Sequence, residues 1–157
     1  MVVAGYLGSL GVMSLVDELR QWWGWTGLEP GEVVGENDFG NLIVKDTKGK
    51  YWRVCPEDGY CRVIAESRAE FDSISKDQTF LHDWYMRTLV SLAEAKCGPL
   101  LDRRKYCLKI PGYLGGEYGG DNLATIPLID LIRASGHLAH ETADLPNGAR
   151  VRLKVAE

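Results

Sequence analysis

The sequence predicts an α+β fold: an antiparallel sheet, built from a meander plus a C-terminal strand, packed against two or three helices. Three observations lead there. Between residues 41 and 65, short apolar runs alternate with glycine-bearing turns, the pattern of consecutive antiparallel strands. In three other stretches, near residues 15–23, 78–96 and 128–139, apolar residues recur at helical spacing. At the end of the chain Val151, Leu153 and Val155 alternate with Arg150, Arg152 and Lys154, which reads as an edge strand with one wet, basic face.

The elements follow in order. Met1 to Val16 is apolar, with no Lys or Arg before Arg20. It lacks the basic start of a signal peptide and is shorter than the roughly 20 residues that cross a membrane. It is either an ordered element or, with Met13 as the natural start, an upstream extension over residues 1–12. Ser14 caps an amphipathic helix carrying Leu15, Leu19, Trp22 and Trp23, which Gly24 ends. Trp22, Trp23 and Trp25 either anchor that helix or form a partner-binding patch, since Trp concentrates binding energy at interfaces. Glu32–Gly35 is a short strand candidate. Asn41–Lys45, Tyr51–Cys55 and Tyr60–Ala65 make the three-stranded meander, with turns at Asp46–Gly49 and Pro56–Gly59. Ser67-Arg68-Ala69-Glu70 is a capping box for a short helix through Ile74. Asp77 caps one long helix from about Gln78 to Lys96, stopped by Gly98-Pro99. Tyr106–Ile110 and Asn122–Thr125 are strands flanking a glycine-rich stretch, and Pro127 opens the last helix. Leu145-Pro146-Asn147-Gly148 is a tight turn. No repeat or linker interrupts the 157 residues, so a single domain over 1–157 is expected, with a tryptophan-rich helical segment at 1–38 and the remainder at 39–157.

The composition is that of a globular protein: 45% hydrophobic and 25% charged. The net charge is −4 and the isoelectric point about 5.4. That argues against a nucleic-acid binder, which presents a basic face, and suits a basic protein partner. Cys55, Cys61, Cys97 and Cys107 show no CxxC spacing, so reduced thiols in a cytoplasmic protein are expected. A Cys55–Cys61 disulfide across the Pro56–Gly59 turn would need an oxidising compartment.

Three chemical constellations stand out. His137, His140 and Glu141 share one helix and could serve a small metal-dependent hydrolase, although metal helices normally step by four residues and add a distant ligand. The glycine-rich stretch lacks the Lys-Ser/Thr pair of a phosphate loop, and Glu117 would repel phosphate. Glu57, Asp58, Glu117 and Asp121 are loop carboxylates whose pairing for glycosidase-type chemistry the sequence does not establish. What remains is a pair of exposed acidic, aromatic loops: Glu57, Asp58 and Tyr60 in one, Glu117, Tyr118 and Asp121 in the other. Tyrosine gives rigid contact area and carboxylates accept paired bonds from arginine. These six residues are the expected partner-binding set.

Leu114-Gly115-Gly116-Glu117-Tyr118, the helix after Pro127, and Leu145-Pro146-Asn147-Gly148 carry a family resemblance. So do Phe39-Gly40-Asn41-Leu42 and the strand-turn from Tyr51-Trp52-Arg53 to Asp58-Gly59. From about Phe39 to Val155 the chain resembles the C-terminal domain of a family of type VI secretion immunity proteins, the inhibitors of DNase-type toxins. Members often carry a longer N-terminal part of the kind found in tRNA-synthetase accessory domains; here only the tryptophan-rich helix precedes Phe39. The resemblance implies a non-enzymatic cytoplasmic inhibitor that needs no cofactor. Its partner would be a cognate toxin domain encoded nearby, not nucleic acid or membrane. The net charge and the acidic, aromatic composition of the loops point to inhibition by occlusion of the toxin's active site. A ligand-binding or scaffold domain without a toxin is the third possibility.

Overall fold

The computed structural model describes residues 13–153. In chain order these form helix α1 (Leu15–Trp23), strands β1 (Pro30–Glu36), β2 (Leu42–Asp46), β3 (Tyr51–Cys55) and β4 (Tyr60–Ala65), and helices α2 (Arg68–Ile74), α3 (Gln78–Tyr85) and α4 (Arg87–Cys97). Strands β5 (Arg104–Leu108) and β6 (Leu123–Pro127) and helix α5 (Leu128–Thr142) follow. The fold is α+β. Three helices start where their caps predict: the side chains of Ser14, Ser67 and Asp77 accept from the amides of Asp17, Glu70 and Phe80, satisfying donors the first turn leaves free. At the β2–β3 hairpin the Asp46 carboxylate accepts from the amides of Lys48 and Lys50 and from the Trp52 indole. The turn is therefore held by its own side chain.

β1 to β4 form one antiparallel sheet in sequential order, and β5 pairs with β6 in a separate antiparallel pair. The meander strands match the sequence expectation closely, and the short candidate at Glu32–Gly35 becomes the longer β1, a fourth strand. The central strands β2 and β3 are buried on both faces, which is why Leu42-Ile43-Val44 is a continuous apolar run. On one side α1 and α5 pack Leu19, Trp23 and Ile132 against Leu42, Val44 and Val54. On the other, α2 and α3 bring Phe71, Ile74 and Trp84 onto Ile43, Tyr51 and Ala65. A third cluster, Phe39, Ala93, Tyr106, Leu108 and Leu123, seats α4 on the β5–β6 pair.

α1 and α5 cross closely. The Trp23 indole donates to the Ile132 carbonyl at 3.2 Å, and a Cβ on Gly136 would lie 2.5 Å from the Trp22 carbonyl oxygen. Arg133 on α5 also donates through two nitrogens to the carboxylate of Glu18 on α1, an acid that is almost fully buried.

Two expectations fail. The single helix over 78–96 is two helices, broken at Met86 with φ 49°. The cause lies in another element: buried Asn37 donates to the Trp84 carbonyl at 2.8 Å, taking an oxygen that a continuous helix would use itself. The strand expected at the C-terminus is missing from 151–153, which carry no strand; its remaining residues, and the proposed extension over 1–12, lie outside the described residues.

Candidate partner-binding face

The turn after β3 and the glycine-rich segment after β5, far apart in sequence, are joined into one surface. The Gly112 amide donates to the Glu57 carbonyl at 2.8 Å. The Tyr118 hydroxyl donates to the Asp58 carboxylate. Gly59 holds φ at 67° and leaves room for the Tyr113 ring, which a Cβ there would approach to 2.4 Å. Gly112 likewise makes way for the Tyr118 side chain. The segment is also stapled to itself. Asn122 donates to the carbonyls of Ile110 and Glu117 at 2.9 and 2.7 Å and accepts from the Ile110 amide at 2.8 Å. The glycines thus allow close docking, and Asn122 fixes the result.

The six expected residues do not share one environment. Asp58, Glu117, Tyr118 and Asp121 are exposed, with Tyr118 46% accessible. Asp121 is paired with Lys96 of α4 at 2.6 Å, and that ammonium holds its carboxyl below the ordinary range. Tyr60 is half-buried, and the Arg62 guanidinium covers its ring at 3.8 Å. Glu57 departs from the expected exposure: it is 5% accessible. The Asn41 amide nitrogen donates to its two oxygens at 3.0 and 2.8 Å, and burial pushes its carboxyl above the ordinary range. It supports the turn from beneath while its neighbour Asp58 faces out.

Sequence reasoning missed the residues that organise this face. Asn41 joins Glu57 to Arg53, whose Nε donates to the Asn41 Oδ1 at 3.0 Å. Arg53 is buried, lies over the Trp84 ring and reaches Asp83. The only sequence signal was an Asn and an Arg flanking an apolar strand run. Ile110, Tyr113, Leu145, Val151 and Leu153 are each more than a third exposed and line two adjoining clefts beside the glycine-rich segment.

Cys55 Sγ and carboxylate oxygens of Glu57 and Asp58 lie within 4.8 Å of one another and are the residues able to hold a metal among those described. Burial, with the adjacent Glu57 and Asp58 charges, pushes the Cys55 thiol up, and Asp58 is already engaged by Tyr118. His137, His140 and Glu141 form no such group among the described residues. The His140 ring stacks on Trp25 at 4.7 Å and His137 meets Trp22 edge-on at 6.1 Å. The four cysteines are free thiols. No helix among the described residues is long and apolar enough to cross a membrane.

No curated protein matches the chain. The family model described as T6SS immunity protein Tdi1, C-terminal, matches residues 65–139, a shorter span than the resemblance from Phe39 onward. It runs from the end of β4 through α2–α4, β5, the glycine-rich segment and β6 into α5. Over this region, just under half its length, the chain is similar to the C-terminal part of type VI secretion immunity proteins.

Proposed function

We propose that this protein binds a cognate type VI secreted toxin in the cytoplasm and neutralises it by covering the toxin's active-site cleft. The covering surface is the face carrying Asp58, Tyr60, Glu117, Tyr118 and Asp121, with Glu57 as its buried support. The whole chain acts as one domain without catalysis of its own. The observation that carries this reading is the joining of the two acidic, aromatic loops through Tyr118–Asp58 and Gly112–Glu57, within or beside the family-matched region. A surface fixed before binding loses little side-chain freedom on association. Exposed acids speed encounter with a basic cleft, and Tyr118 with Tyr113 offers the aromatic area that anchors interfaces.

The metal-hydrolase reading gains no support, because His137 and His140 are packed on tryptophan rings.

The test is co-expression with the toxin domain encoded beside its gene. A one-to-one complex that inhibits the toxin and restores growth supports the proposal. A complex that leaves the toxin active removes the occlusion mechanism, and no complex removes the role.

A further inference from the structure

Between α5, β5 and the turn after β3 lies a recess of about 190 Å³. Phe39, Leu108, Ile126, Leu131 and Leu138 give it apolar walls. On α5, Leu131, Ala134, Ser135 and Leu138 line it at the spacing of one helical face. The small side chains in the middle of that face leave the space open. Ala134 and Lys109, the exposed residues of the wall, mark its mouth.

The recess has no polar need to meet. Ser135 donates its hydroxyl to the Leu131 carbonyl of its own helix, and the Glu57 carboxylate is taken by the Asn41 amide. No buried side-chain nitrogen or oxygen among the described residues lacks a partner. A polar group entering here would lose its water without gaining a bond, which is costly, so the recess selects an apolar one. Cavities of roughly 150 Å³ take up benzene, and the space therefore suits the side chain of a Leu, Ile, Met or Phe.

Its position says where that side chain comes from. Pro56 and Glu57 of one loop, and Lys109 and Pro111 of the other, line it; these are the roots of the two loops that make the candidate face. Asp58 directly follows Glu57, and Gly112, which makes way for Tyr118, directly follows Pro111. One such step is about 3.8 Å, whereas a stable partner covers about 800 Å² of each surface. A partner seated on Asp58 and Tyr118 therefore reaches the recess. Exposed acids speed its encounter but add little affinity; tight complexes draw most of theirs from apolar anchors in desolvated pockets.

Given the toxin-binding role proposed above, on which this inference rests, we infer that the recess receives one apolar side chain projecting from the toxin. That anchor slows dissociation, while the acids of the face govern encounter. The toxin surface that fits is an apolar knob beside basic ground.

The experiment measures association and dissociation of the proposed cognate toxin domain with the full chain and with its Ala134→Phe and Ser135→Leu variants, unfolding curves confirming that each is folded. Methyl NMR of the parent complex accompanies it. Ala134 is exposed, so Ala134→Phe closes the mouth without entering the core, and Ser135→Leu fills the recess from within. Each should lose at least about tenfold in affinity, mostly through faster dissociation. In the parent complex the methyls of Leu131 and Leu138 should contact an apolar toxin side chain. A parent complex that either folded variant forms as tightly, or in which those methyls meet no toxin side chain, would overturn the anchor and leave the toxin-binding role standing. No complex with the parent would overturn both.

Discussion

Glu57 and Asp58 are adjacent acids in one turn with opposite fates. Asp58 faces water and takes the Tyr118 hydroxyl; Glu57 is buried and rests on Asn41. Burial raises the Glu57 carboxyl, and a raised acid favours the folded state only while protonated. Its contribution is fully present below the ordinary carboxylate range and is lost as pH rises through the raised value. Glu57→Gln, which mimics the protonated form, should therefore be more stable than the parent at pH 7. The gap should close by about pH 4, as read by denaturant unfolding at both pH values. Asn41→Ala should cost about 2 kcal/mol or more, because it strands the buried Arg53 and Glu57 together; the same unfolding curves measure it. The split between the two acids was not legible in the sequence. Both belong to an ordinary Pro-Glu-Asp-Gly turn, and the groups that choose between them, Asn41 and the Gly112 amide, come from distant parts of the chain.

At the scale of elements, legibility followed locality. Ser14, Ser67 and Asp77 cap their helices from within three residues, and Asp46 organises its own hairpin, so those boundaries could be read directly. The break at Met86 could not, because the apolar stripe from Leu81 to Leu92 runs through it and the residue that ends α3, Asn37, belongs to the β1–β2 connection. The α1–α5 crossing was equally hidden. It predicts that Gly136→Ala destabilises the protein by about 1–3 kcal/mol. Alanine's helical advantage of about 1 kcal/mol does not offset a Cβ set 2.5 Å from the Trp22 carbonyl oxygen. Trp23→Ala should cost about 3–5 kcal/mol, since its ring is fully buried and its indole bonds across the crossing. Thermal unfolding of the two variants checks both figures.

Across the whole molecule, helices cover both faces of the four-stranded sheet, and the β5–β6 pair stands beside it under α4. This arrangement places the glycine-rich segment, which connects β5 to β6, against the turn that connects β3 to β4. The sequence announced both loops as acidic and aromatic but not that they meet, since their partnership depends on how the two sheets sit together. The meeting turns two surface loops into one candidate interface, with exposed Glu117 and Tyr118 at its centre and Asp121 tied back to Lys96. The central claim, that this face engages a cognate toxin, is tested most directly by calorimetric titration of the proposed cognate toxin domain into the parent and into the Glu117→Lys/Tyr118→Ala double variant, with unfolding curves confirming that both are folded. The account predicts a tight one-to-one complex for the parent and a loss of at least about tenfold, or about 1.4 kcal/mol, in the variant. A folded variant that binds as tightly as the parent would contradict it and place the interface elsewhere on the molecule.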